Sequence, residues 1–434
     1  MKRMAALLTL LSLPLASGQT ASTQGGELQR LVDSAAPGST IRLEGRAYNG
    51  NTVINKSISI VGQAGTVLQG DHTSNVVRIV APKVSLSTMT IRGSGKDRNT
   101  SEEQAGVRVI APEVTLKNLV LADNFHGIHL NGEAGSATIE GCTITGLNVA
   151  SQGAQGNGIT IIRSGNHKLL NNTISGTRDG MFFEYSSNDE IRGNRITHVR
   201  YGLHYMYSDD NVFTHNSFSG NMGGAAIMHS ERLTLENNEF SFNQGSRSFG
   251  LILQGSRNIH VKNNAFHLNQ RGLYIEQTVQ SRIEDNTFFR NGVGIELWSN
   301  SNSQVFTRNN FDRNNADAVI VGGESNNQWF ENGVGNYWNQ PALDLDQNGI
   351  ADAPLKYQSA LGRLIEQNEL AYLFISSPAM TIYEKTNQLF AHDLAVITDN
   401  YPLLHRTGRP PLWTVPLALL LATAGGIYAL RRNP

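Results

Sequence analysis

Glycine recurs at a fixed interval through the middle of this chain. Gly158, Gly180, Gly202 and Gly224 are each 22 residues apart, and after one step of 26 the interval resumes at Gly250, Gly272 and Gly294. Asn172, Asn194, Asn216, Asn238, Asn264, Asn286 and Asn309 follow nearly the same spacing, each with Ile or Phe within two residues. Ser164, Ser186, Ser208, Ser230 and Ser256 form a third series. A period of this length is the signature of a solenoid, in which one repeat cannot bury its apolar face alone and does so by stacking on its neighbours.

Within each unit, Ile, Leu, Val and Phe alternate with polar residues over short runs bounded by Gly, Asn, Ser and Asp. That is a strand pattern, and the i, i+3, i+4 spacing of a helix is missing from it. Met181 and Phe183 align with Leu203 and Tyr205, Ala225 and Ile227, Leu251 and Leu253, and Leu273 and Ile275, so these columns are expected to point inward. Leu169, Ile191, Phe213, Leu235, Val261 and Ile283 make another inward column. The expected fold is all-β, a right-handed parallel β-helix whose Asn and Ser side chains stack at the turns and bond along the axis.

Residues 27–36 read as a short amphipathic helix capping the first coil, and the polar stretch 92–104 as a surface loop. The repeat fades after Trp329, and 340–408 has a different composition. The chain therefore divides into an export segment over 1–18, a β-helix over 19–339, a small C-terminal module over 340–408 and a hydrophobic helix over 409–434.

The export segment is read from Lys2 and Arg3, an apolar run to Leu15, and the small residues Ala16, Ser17 and Gly18. The single cysteine, Cys142, rules out an internal disulfide and takes the place of the ladder asparagine in its coil, as a buried turn residue. With 35 basic and 36 acidic residues the formal charge is −1, so no global basic field favours nucleic acid. Residues 412–430 are almost unbroken apolar sequence ending at Arg431 and Arg432. Nineteen helical residues span about 28 Å, enough for a bilayer core. A membrane anchor, a sorting tail and a helix docking on a membrane partner all fit that run.

Strand alternation leaves two outward columns on the glycine-marked sheet. One carries Thr160, Phe182, His204, Ala226, Ile252, Tyr274 and Glu296; the other carries Ile162, Glu184, Met206, Met228, Gln254, Glu276 and Trp298. Met206 and Met228 are expected on adjacent coils, His204 two residues before Met206 on the same face, and His229 beside Met228 near the turn. Two thioethers and an imidazole form a soft ligand set suited to Cu(I). The same side chains also fit a hydrophobic docking surface.

Asp344, Asp346, Asn348, Gly349 and Asp352 follow the opening of a calcium loop, with oxygen donors at alternate positions and glycine sixth. Leu355 stands where that loop needs a glutamate, so a weak structural Ca²⁺ site and a plain acidic turn both remain open. Sugar-cleaving β-helices need paired carboxylates on one face. Glu184 and Glu276 share a column but lie four coils apart, about 19 Å, and no acid–base pair is read. The chain is not expected to be an enzyme.

The block Tyr201-Gly202-Leu203-His204-Tyr205-Met206-Tyr207-Ser208-Asp209-Asp210-Asn211 resembles the signature coil of the NosD-type maturation proteins of nitrous oxide reductase. The resemblance continues through Gly223-Gly224-Ala225-Ala226, Gly335-Asn336-Tyr337-Trp338, the acidic loop, Ser377-Pro378-Ala379, and Asp399 with Pro402 and Leu403. It implies a periplasmic, membrane-associated protein of denitrification. Such a protein works with an ABC transporter permease and its ATPase, accepts copper from a chaperone lipoprotein and passes it to the reductase. On that reading the residues that coil register brings together, His204, Met206 and Met228, handle the copper with His229 as an auxiliary ligand, and 358–390 either contacts the permease or is a helix that caps the final coil. The rival reading is an extracellular carbohydrate-binding or carbohydrate-cleaving β-helix, motivated by the outward aromatics Phe182, Tyr274 and Trp298.

Overall fold

The computed structural model describes residues 26–407, except 97–101, 148, 150, 246, 324–325, 376 and 391–396. The export segment and the apolar run 412–430 thus lie outside the described residues.

A typical coil contributes two three-residue strands and one longer one, as in Glu190–Arg192, Arg195–Thr197 and Tyr201–Met206. Among the described residues, the longer strands stack in parallel into a sheet of 12, running from Thr52–Ile54 to Ala316–Val321. The short strands form a second parallel sheet of 22. Each coil advances the chain by one strand spacing, about 4.8 Å. The result is the parallel β-solenoid that the 22-residue period demands.

Met181, Phe183, Leu203, Tyr205, Ala225, Ile227, Leu251, Leu253, Leu273 and Ile275 are all fully buried, as their alternation requires. So are Leu169, Ile191, Phe213, Val261 and Ile283, and Leu235 nearly so. Beside them runs an aromatic stack, Phe218–Phe240–Phe266–Phe288–Phe311–Trp338–Tyr357, with centroids 4.6–5.5 Å apart. The glycine beat has a steric cause. A Cβ on Gly202 would stand 2.5 Å from the carbonyl oxygen of Gly224 and 2.7 Å from the Phe218 ring. Any side chain there would force neighbouring coils apart.

The asparagines satisfy the polar backbone at the corners. Asn194 Oδ1 accepts from both the backbone and the side-chain amide of Asn172, while its own Nδ2 donates to Leu169 O and Asn216 Oδ1. A second ladder lies five residues later, at Asn221, Asn243, Asn269 and Asn291. Sequence reading followed only the first. Cys142 sits in line with Asn172, whose Oδ1 accepts its backbone N–H, and burial pushes its thiol up to about 11. It is a buried turn residue, as expected.

At the N-terminal end the helix Glu27–Ser34 buries Leu28 and Val32, and Lys56 Nζ donates to the carbonyls of Val32 and Ala35 at its C-terminus. At the other end, Leu355–Tyr357 pairs antiparallel with Ile397–Asp399, and the Tyr357 ring closes the aromatic stack. The helix Ala360–Gln367 lays Leu361 and Ile365 in a cluster with Val319 and Val321 of the last long strand. The 3₁₀ turn Glu369–Phe374 then crosses the outward face, where the Tyr372 hydroxyl donates to Glu296 Oε1 at 2.6 Å. The C-terminal module therefore covers the side of the solenoid as well as its end. Glu296 and Tyr274, outward by register, are buried beneath it or beside it. Among the described residues no helix is long and apolar enough to cross a membrane.

Candidate functional site

Register on the 12-stranded sheet follows from the pairing. His129, Thr160, Phe182, His204 and Ala226 form one outward column. Ile162, Glu184, Met206, Met228 and Gln254 form the next. Met206 and Met228 are thus direct partners on adjacent coils, both half-buried, with His204 two residues from Met206. His229 does not join them on the flat of the sheet. It stands past the strand end with φ 50°, exposed, its ring stacked on Tyr207 at 5.2 Å. Tyr207 in turn stacks on Tyr185, also at 5.2 Å, making an aromatic edge beside the methionines.

His204 is held on several sides. Its Nδ1 lies 3.1 Å from Asp179 Oδ2, and Phe182 and Tyr201 meet its ring edge-to-face at 5.0 and 5.4 Å. Asp179 is buried, which works to raise its pKa, but hydrogen bonds from His204 and Arg200 outweigh that and hold it below the usual carboxylate range. Arg200 binds it in a fork, Nε to Oδ1 at 2.7 Å and Nη2 to Oδ2 at 2.5 Å.

These partners opened no line of the sequence reading, although a signal was present. Residues immediately before Gly127, Gly158, Gly180 and Gly202, namely His126, Asn157, Asp179 and Tyr201, stand in line on successive coils, next to the column of His204.

The two columns enclose a cleft of about 300 Å³ that runs from Glu103, His126 and His129 to Arg178, Phe182 and His204. His126 Nδ1 accepts the backbone N–H of Asn157 at 3.0 Å, which puts its proton on Nε2, facing Glu103 at 3.2 Å. His129 is buried with neither ring nitrogen hydrogen-bonded, and burial lowers its pKa to about 3, so the ring is neutral. Glu103 and the buried Ser94 belong to the stretch expected to be a plain surface loop; these residues instead line or support the cleft. Their local sequence carries no periodicity that would have shown it.

The acidic loop lies apart from this face. Ligand oxygens of Asp344, Asp346 and Asp352 come within 4.8 Å of one another. Asp344 Oδ1 accepts from the Asn348 N–H and Oδ2 from the Gly349 N–H, and Asn348 Nδ2 donates to Asp346.

The fold defines a parallel β-solenoid protein with thioether and imidazole side chains in register on its outward face. Residues 136–343 match the family model described as NosD, periplasmic copper-binding protein. A Pseudomonas aeruginosa protein named a probable ABC transporter binding protein NosD is 31% identical over 423 residues, covering 93% of this chain and 96% of the relative. The chain belongs to the NosD family. Among solved structures, the Dettilon tailspike protein is similar at 15% identity and a TM-score of 0.53, covering 67% of this chain and 63% of the tailspike. The match thus spans less than two thirds of that protein's length, and it speaks to the fold alone. A PL6 alginate lyase in complex with a trisaccharide is 12% identical at a TM-score of 0.49, over 75% of this chain and 87% of the lyase.

Proposed function

We propose that this chain is an accessory protein that carries Cu(I) during assembly of the copper sites of nitrous oxide reductase, in the periplasm and beside the inner membrane. Copper is its cargo, received from a chaperone lipoprotein and passed on with an ABC transporter permease and ATPase. Family membership supports copper and the periplasm, and the name of the Pseudomonas relative supports the transporter.

One observation carries the reading to particular side chains: Met206 and Met228 are register partners, with His204 on the same face. Thioethers are soft donors that favour Cu(I), and a half-buried three-ligand set leaves one side open for exchange with a partner. His229, at the edge, is the auxiliary ligand. Asp344, Asp346, Asn348 and Asp352 form a structural Ca²⁺ loop in this reading. The segment 358–390 meets the permease and 412–430 tethers the protein to the membrane. The exposed apolar side chains of Leu370, Leu373, Phe374 and Ile382 support the permease contact.

An accessory role rather than turnover is supported by the name of the Pseudomonas relative, a binding protein. Glu184 and Glu276 share a column four coils apart, and Glu276 is engaged by Gln254 and Tyr274.

The test is an anaerobic Cu(I) competition titration of the full chain against its His204→Ala/Met206→Ala/Met228→Ala variant. Tight one-to-one binding lost in the variant is expected. Equal binding by both proteins would overturn the assignment.

A further inference from the structure

The Asp179 carboxylate is fully engaged by its neighbours. Its side chain is 1% exposed, Arg200 grips both oxygens, and the backbone N–H of Tyr201 donates to Oδ1 at 3.3 Å. It therefore presents a fixed acceptor, Oδ2, to His204 Nδ1 at 3.1 Å. Arg200 Nη2 stands 3.3 Å from the same ring nitrogen, but it already donates to Oδ2 at 2.5 Å. A bare Nδ1 would set its lone pair against the carboxylate oxygen, whereas a protonated Nδ1 makes a charge-assisted hydrogen bond. The proton accordingly resides on Nδ1. Phe182 and Tyr201, edge-on to the ring, resist its turning over. Nε2 diverges from Nδ1 across the ring, so it faces away from Asp179, and in the neutral ring it carries the lone pair.

We propose that Asp179 is the positioning residue of the copper site: it holds His204 in the one tautomer and orientation in which Nε2 can bind the metal. The proposal rests on the copper reading given above. Metal-bound imidazoles are commonly oriented by a carboxylate on their other nitrogen, and loss of such a partner costs 10- to 100-fold in metal affinity. Arg200 has a distinct part. It neutralises the buried carboxylate and locks its rotamer, so that Asp179 does not itself turn outward to become a ligand.

Asp179→Asn is the informative substitution. An amide cannot accept along both edges: its oxygen at the Oδ1 position keeps the bonds from Arg200 Nε and the Tyr201 N–H, whereas the reverse flip sets its NH₂ against both donors. With its NH₂ toward His204 it drives the imidazole proton to Nε2 and blocks the metal-binding nitrogen. Two measurements on the full chain test the proposal: ¹⁵N NMR of histidine-labelled apoprotein, with His204 assigned by its Ala variant, and anaerobic Cu(I) competition of wild type, Asp179→Asn and His204→Ala. Expected are a bare Nε2 on His204 in the wild type and 10- to 100-fold weaker Cu(I) binding by Asp179→Asn, measured below its melting temperature, which the lost ion pair lowers. A wild-type His204 that carries its proton on Nε2 overturns the proposal. So does an Asp179→Asn protein that binds Cu(I) like wild type while His204→Ala does not. If His204→Ala keeps wild-type affinity, the copper reading of this face has failed and the proposal falls with it. Should Asp179→Asn not fold, the tautomer measured in the unsubstituted protein decides.

Discussion

Asp189 accepts the backbone amide of His167 at 2.8 Å, standing in a column that Asn211 continues one coil later. Burial pushes its carboxyl up to about 7, against roughly 3.9 in an unfolded chain. The folded state therefore keeps a proton that the unfolded state has released between about pH 4 and 7. Stability contributed by that proton is fully present below this window and lost as pH rises through it, at most about 1.4 kcal/mol per pH unit. Asp189→Asn keeps the acceptor for His167 and has no proton to lose. Urea midpoints taken from pH 5 to 8 should fall less steeply in the variant. Asp317, also raised to about 7 by burial, titrates in both proteins, so the difference isolates Asp189. Parallel pH profiles would mean that Asp189 is ionised throughout.

Asn216 lies inside the first ladder, with ladder asparagines on both sides. Its Oδ1 accepts two hydrogen bonds from Asn194, and its Nδ2 donates to Ile191 O and Asn238 Oδ1. Asn216→Ala leaves these buried partners unsatisfied, which costs about 1–3 kcal/mol for each group that water cannot reach. A loss of about 3–5 kcal/mol is expected in urea unfolding. A loss below about 1 kcal/mol would show that water enters the corner.

The methionine pair separates copper handling from folding. Met206→Ala/Met228→Ala should weaken Cu(I) binding more than tenfold and abolish reductase maturation in cells. The melting temperature should move by only a few degrees, because both side chains lie outside the core. His229→Ala should weaken binding less than His204→Ala, since His229 is stacked on Tyr207 at the edge. Equal losses from the two histidines would mean that His229 turns in to become a full ligand.

Tyr372→Phe tests the strap across the sheet. The substitution removes the 2.6 Å hydrogen bond to Glu296, whose remaining donor is Trp298 Nε1 at 3.2 Å with Arg271 at 3.6 Å. Hydrogen exchange of amides in 360–375 should accelerate about tenfold or more, equivalent to about 1.4 kcal/mol of local stability. Amides of the central coils should be unchanged. Uniform acceleration along the chain would instead mean that strap and solenoid unfold as one unit.

The solenoid was legible because repetition multiplies a weak signal. No single coil identifies a β-helix, but Gly180 and Gly202 recur for the same steric reason and the inward columns repeat with them. The register of Met206 on Met228 followed from the same count. What escaped reading depends on contacts that do not repeat. Asp179 and Arg200 meet His204 only because three different side chains occupy equivalent or neighbouring positions on successive coils. Tyr372 reaches Glu296 across 76 residues of chain. The second asparagine ladder is written in the sequence too, three residues behind Phe218, Phe240, Phe266 and Phe288.

The strap fixes a distance as well as a cover. Glu296, which anchors Tyr372, lies three coils beyond Met228 in the long-strand sheet. That is roughly 14 Å along the axis at one strand spacing per coil. Stacked coils stretch and compress very little, so the solenoid acts as a rigid spacer between the methionines and the exposed apolar side chains of Leu370, Leu373 and Phe374. A partner seated on that strap must extend roughly 14 Å back along the open face to reach Met228.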